Sequence, residues 1–255
     1  MARKNVASGT VLNTRKNLRD SLNEEAPLST WQSFHDFNEL TIVEADSPFI
    51  FNAGSDDLAI DPAINLQERG VLRVTAGDGD GTAAVDGSQV LLAVPVQADS
   101  GGLAFECRLN ITDITKCSVY VGFTDITTLE EPMSVSAATL TTNCSNGVGF
   151  VFDTAMTTDT WWAAGVDGDT DATGSGALDL VSTPVNATYQ VLRCEVAADG
   201  ESADFYVDGV LAHSLTASVC AASTNLYFTV FANGDGSNAA AATVDVDYIL
   251  VSTAR

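Results

Sequence analysis

The run LAFECRLNI, residues 103–111, places Leu103, Phe105, Cys107, Leu109 and Ile111 on one side of an extended chain and Glu106, Arg108 and Asn110 on the other. A strand repeats every two residues and a helix every 3.6, so this pattern specifies a strand with one face in a core. The same period recurs in CSVYVGF, where Cys117, Val119, Val121 and Phe123 align, and in YQVLRCEV, where Leu192, Cys194 and Val196 oppose Arg193 and Glu195.

From Leu40 onward, short apolar runs rich in Val, Phe, Thr and Tyr alternate with turn-forming clusters such as AGDGDGTAAVDGS, DGDTDATGSG and NGDGSNAAAA. Turn signals at sheet-like spacing, with no long helical pattern, predict an all-β fold. Two stacked antiparallel sheets in a jelly-roll sandwich accommodate about 215 residues of this kind. A chain of 255 residues can bury about 70–75% of its unfolded surface around one such core. The expected organisation is a sandwich over residues 39–255 preceded by an N-terminal arm, residues 1–38.

The arm differs in charge as well as in pattern. Arg3, Lys4, Arg15, Lys16 and Arg19 lie within the first nineteen residues, which hold no acid, so that stretch carries +5. The remaining six basic residues face 34 acids, a balance of −28. A cationic arm on an acidic, soluble body is the arrangement expected of a docking segment. The body would repel a phosphate backbone, which leaves only the arm for nucleic-acid contact. Leu18 and Leu22, four apart and followed by Pro27, fit one short amphipathic helix or an extended arm too small to fold alone. A disordered tail and an arm ordered by its partner both fit.

Five cysteines, Cys107, Cys117, Cys144, Cys194 and Cys220, are an odd number without C-x-x-C spacing, and no apolar secretory segment follows Met1. They read as buried, reduced thiols of a protein made in the cytoplasm. Two histidines and scattered cysteines do not form a zinc pattern, and no apolar run approaches the ~20 residues of a membrane span. The sequons at Asn110, Asn143 and Asn186 carry no meaning without secretion.

Three stretches could carry chemistry. In SADFYVDGVLAHS, residues 202–214, Asp208-Gly209 is a two-residue hairpin signal. It predicts the pairs Val207 with Val210, Tyr206 with Leu211, Phe205 with Ala212, and Asp204 with His213. That register turns Ser214 to the opposite face, so the cluster reads as an exposed cross-strand pair and not a triad; no G-x-S-x-G elbow occurs. In VDGDTDATGSGALD, Asp167, Asp169 and Asp171 have the first spacings of a calcium loop. Ala172 and Leu178 replace its glycine and its bidentate acid, so a solvated loop competes with a weak calcium site. Trp161 and Trp162 would face opposite ways on a strand; one is core, and the other either stacks on a sugar ring or packs under a loop or subunit. No cofactor is otherwise expected.

GGLAFECRLNITDITKCSVYVGFTD, VGFVFDTAMTTDTWW, YQVLRCEVAADGESADFYVDG and TVDVDYILV together resemble concanavalin A-like (laminin G-like) jelly-roll domains, over roughly residues 60–251. More closely, the set resembles a group of tailed-bacteriophage proteins with such a domain, including virion head-decoration proteins. Glycosidases of this fold carry an E-x-D-x-x-E strand, which is absent here, and Glu106 and Glu195 each stand alone in the sequence; retaining hydrolysis needs two carboxylates about 5–5.5 Å apart. The resemblance therefore implies a non-enzymatic virion protein on the outer capsid surface, docked on the major capsid protein by its arm and assembled as a homotrimer. The alternative it implies is a carbohydrate-binding module of a tail or appendage that recognises host surface glycans.

Overall fold

A computed structural model describes residues 30–37, 48–54, 63–67, 70–77, 86–172, 178–180, 182–234 and 243–254. The elements named among the described residues are strands, apart from one 3-10 turn at Ala98–Ser100. Sheet A follows the order β16 (Val210–Leu215), β15 (Ala203–Val207), β14 (Gln190–Val196), β6 (Leu103–Ile111), β18 (Thr243–Ala254), β4 (Val71–Thr75) and β3 (Ala63–Gln67). Strand β1 (Thr30–His35) also pairs with β18, alongside residues 249–254. Sheet B follows β12 (Thr170–Asp171), β11 (Trp162–Asp167), β10 (Gly147–Asp153), β7 (Cys117–Thr124), β17 (Tyr227–Gly234), β5 (Ser88–Leu92) and β2 (Phe49–Ala53). Strand β13 (Leu178–Asp179) pairs with β11 beside β12, and β8 (Met133–Ser136) with β9 (Thr139–Thr142) makes a separate hairpin. All ladders are antiparallel, and the jelly-roll sandwich expected from the alternation is the fold observed.

The alternating residues meet between the sheets. Phe105 of sheet A lies 5.5 Å from Phe123 and 5.1 Å from Phe228 of sheet B, ring centre to ring centre. Phe150 and Phe205 close the same cluster edge to face at 5.2 Å, the geometry aromatic quadrupoles favour. Cys107, Cys117 and Cys194 face this core as their parity predicts, and all five cysteines are buried and outside disulfides. Burial pushes the Cys107 and Cys194 thiols well up, and those of Cys144 and Cys220 to about 12.

Sheet B has a second apolar layer on its outer side. Tyr120, Val151, Trp162, Ala164, Val166 and Phe231 point away from the sandwich core and pack under Met133, Val135, Cys144 and Met156. This roof explains why β7 and β10 are buried on both faces despite a two-residue period. The strands under the roof approach closely: a Cβ on Gly122 would stand 2.4 Å from the Val148 carbonyl oxygen and 2.5 Å from the Gly149 Cα. Glycine is the residue that fits there.

One stretch is placed differently from the expectation. Residues 30–35 fall within the stretch assigned to the arm, yet they form a ladder from Thr30↔Ala254 to His35↔Ile249 and so belong to the sandwich. A short segment without strong alternation acquires strand structure here because the edge of β18, more than two hundred residues later, is available to it. Residues 1–29, with Arg3, Lys4, Arg15, Lys16, Arg19 and the Leu18–Leu22 pattern, lie outside the described residues.

Candidate functional site

The Asp208-Gly209 turn forms as its sequence requires, with φ of 52° and 80°. Val207 pairs with Val210 and Tyr206 with Leu211 as expected. A β-bulge then intervenes, leaving Ala212 without an opposite residue, and the register beyond it moves by one: Phe205 faces His213 and Asp204 faces Ser214. This corrects the Asp204–His213 pair and the outward turn of Ser214. The Ser214 hydroxyl donates to Asp204 Oδ1 at 2.5 Å, whereas His213 makes no hydrogen bond to either group among the described residues. A nucleophile needs its base on the hydroxyl; here the hydroxyl is held by the carboxylate and the imidazole stands aside.

The tryptophans lie on opposite sides of sheet B, as their parity requires, but both rings are buried. Trp161 is fully inside the main core, edge-on to Phe150 and Phe152, with its Nε1 donating to Gln190 Oε1 at 2.9 Å. Trp162 is 6% exposed and belongs to the layer beneath the β8–β9 roof. Neither ring presents a face to a sugar, so stacking on Trp161 or Trp162 is replaced by packing. The covering residues, Met133, Val135, Cys144 and Met156, precede the tryptophans in sequence, and no local signal announces them.

The three aspartates do not form a calcium loop. Asp167 pairs with Thr170 and Asp171 with Val166 across a two-residue turn, in which Gly168 and Asp169 are left-handed at φ 55° and 64°. The outermost carboxylate, Asp169, accepts from the Ser145 hydroxyl at 2.6 Å, while its backbone N–H donates to the Ser145 carbonyl at 3.0 Å. A hairpin spreads alternate residues along strands instead of wrapping them around an ion. Among the described residues no group of three or more His, Cys, Asp or Glu is placed to hold a metal, and no helix is long and apolar enough to cross a membrane.

The outer face of sheet A brings together polar groups that the sequence keeps apart. Arg73 makes a bidentate pair with Asp245 at 2.6 and 2.7 Å. The Arg108 guanidinium donates to Asp247 at 2.6 Å and lies 4.2 Å over the Tyr189 ring; Arg193 lies 3.9 Å over Tyr206. Glu106, buried, accepts from the Tyr248 hydroxyl at 2.7 Å. Glu195 does not stand alone: in the β14–β15 ladder Asp204 is directly across from it, which puts their Cβ atoms about 4.5–5.5 Å apart. This second carboxylate is nine residues away in sequence and becomes visible only once the two strands pair. Each member has a partner, Ser214 on Asp204 and Arg193 on Glu195 at 3.5 Å, and both are half-buried. A general acid needs one carboxyl in an apolar pocket, and this pair lacks that asymmetry.

Thr30 stands beside Ala254, at the end of sheet A that also holds Leu103, Val196 and Ala203. The Asp208-Gly209 turn and Ile111 mark the opposite end.

No protein-family model and no curated protein matches the chain. Solved structures match it over most of their length and at low identity. The metal-free carbohydrate recognition domain of Emp46p aligns with 85% of this chain and 93% of its own, at 12% identity and a TM-score of 0.57. The β-glucanase of Bacillus licheniformis aligns with 88% and 98%, at 13% identity and a TM-score of 0.57. Peanut lectin aligns with 88% and 97%, at 12% identity and a TM-score of 0.56. The protein therefore has the concanavalin A-like jelly-roll fold. Lectin-type and glycan-cleaving proteins share that fold, so function rests on the surfaces described above.

Proposed function

We propose that this protein is a virion structural protein of a tailed bacteriophage, a capsid decoration protein that docks on the major capsid protein through its N-terminal arm and displays the sandwich outward. The charge division carries the reading: +5 in the first nineteen residues and −28 in the rest. An arm of that sign adheres to an acidic shell, while the acidic body keeps the decorated particle dispersed. The resemblance to phage decoration proteins supports the same reading, as does the in-sheet strand β1, which gives whatever precedes Thr30 a rigid root. Identical copies closing about a threefold axis would form a homotrimer on the outer capsid surface.

Deleting residues 2–25 tests the docking role. Incorporation into particles is expected to fall to background while the truncated sandwich stays folded; undiminished incorporation would sink it.

A second reading is a carbohydrate-binding module, and the fold shared with a carbohydrate recognition domain and a lectin favours it. On this reading the half-buried Tyr189 and Tyr206 of sheet A, rather than the tryptophans, supply the aromatic surface. A glycan array read with and without calcium separates the two: saturable binding to a defined glycan supports the module, and loss of that binding with calcium removed would return the Asp167–Asp171 hairpin to consideration.

A further inference from the structure

Strand β1, like β3 and β16, has a single neighbour in sheet A. It is the first described element, and its whole ladder runs along one edge of β18, so detaching it breaks no other pairing. Its side chains alternate across the sheet. Phe34 is on the outer face with Tyr248, ring centres 5.9 Å apart. Ser33 and His35, opposite Val251 and Ile249, turn inward. The His35 ring meets Phe49 of the other sheet nearly edge-on at 4.6 Å, and Phe49 in turn packs on Phe37 at 5.7 Å. His35 Nε2 is 2.6 Å from the Ser33 hydroxyl. A titratable ring thus fills the seam where β1 closes the sandwich.

We propose that β1 is an acid-releasable latch: protonation of His35 expels the ring from the seam and frees residues 30–37 from the sandwich. The neutral imidazole satisfies one nitrogen on Ser33 and presents its ring to Phe49; a second proton adds charge where the wall is apolar. Strand β2 (Phe-Ile-Phe-Asn-Ala) contributes no charge. The inward residues of β18 at this point, Ile249 and Val251, are apolar, and the nearby Asp247 is bound to Arg108. Among the described residues only Asp36, the next in sequence, opposes the effect. Burial, the larger influence, holds the His35 pKa below its usual value of 6.5, and Asp36 offsets part of this. A histidine whose folded pKa is depressed stabilises the docked strand above the unfolded pKa and ceases to do so as pH falls below it. Release therefore sets in below about pH 6.5 and grows by up to about tenfold per pH unit until the folded pKa is reached. The latch is a property of the isolated chain and stands or falls separately from capsid docking.

Hydrogen exchange of the full-length protein between pH 8 and 5, corrected for intrinsic rates, tests it. Protection of residues 30–35 is expected to drop as the pH falls below about 6.5, with the β14–β15 ladder unchanged, and His35→Gln is expected to abolish the pH dependence. Protection that stays constant with pH, or falls equally in His35→Gln, would overturn the latch. Should His35→Gln undock β1 at every pH, NMR titration of the wild type decides: His35, one of only two histidines in the chain, must titrate below the usual histidine value of about 6.5 and in step with loss of the β1 amide shifts. A His35 that titrates like a solvent-exposed ring, with β1 still docked, refutes it.

Discussion

Phe105 shows what single residues contribute to this fold. Its ring touches Phe123, Phe150 and Phe228 across the gap between the sheets and is fully buried. Phe105→Ala removes the central member of that cluster and is expected to destabilise the protein by about 3–5 kcal/mol, read as a shift in the denaturant midpoint. The cysteines make a complementary prediction. A thiol reacts as its thiolate; all five are buried, and burial pushes the pKa of Cys107, Cys144, Cys194 and Cys220 upward, so native protein is expected to show no rapid reaction with an aromatic disulfide reagent and five equivalents after unfolding. A fast-reacting thiol in native protein would contradict the packing around it. Parity alone announced the inward faces of Cys107, Cys117 and Cys194, because one-sided strands write their orientation into local sequence. Parity also separated Trp161 from Trp162 but could not reveal that the outer one is covered, since the roof over Trp162 is a tertiary contact.

At the scale of elements, the β15–β16 hairpin separates what local chemistry determines from what it does not. Asp-Gly specified the turn and the first two pairs, while the bulge at Ala212 altered the rest, because an extra residue breaks the period from which register is read. The turn is also tied to its neighbour: Asp208 Oδ1 accepts from the Val191 N–H at 2.9 Å, and the Asp208 N–H donates to the Val191 carbonyl at 2.8 Å. Asp208→Ala loses the side-chain bond and places a less tolerant residue at φ 52°. A loss of about 1–2 kcal/mol is expected in thermal or denaturant unfolding. A change below about 0.3 kcal/mol would mean the turn is not held by Val191. The β14–β15 ladder likewise sets Asp204 opposite Glu195. If these carboxylates serve only the sheet, neither the wild type nor Glu195→Gln nor Asp204→Asn is expected to release reducing sugar from β-glucans; release by the wild type that either substitution abolishes would identify a catalytic pair.

For the whole molecule, the sandwich was legible because alternation and turn chemistry repeat along two hundred residues, and consistent local signals of that kind specify an architecture. The attachment of β1 was not, because its strand character comes from the edge of β18 rather than from its own pattern. The proposed function also belongs to this scale, since it depends on how charge is divided between the arm and the body. Thr30 and Ala254 lie at one end of sheet A and the Asp208-Gly209 turn at the other, so docking through the arm implies a polarity. A cryo-EM map of the assembled particle measures this directly. The account predicts sandwich density on the outer capsid surface, in threefold clusters, with the Thr30 end toward the shell and the Asp208-Gly209 end outward. Sandwich density confined to the tail, or docked on the shell by the Asp208-Gly209 end, would contradict it.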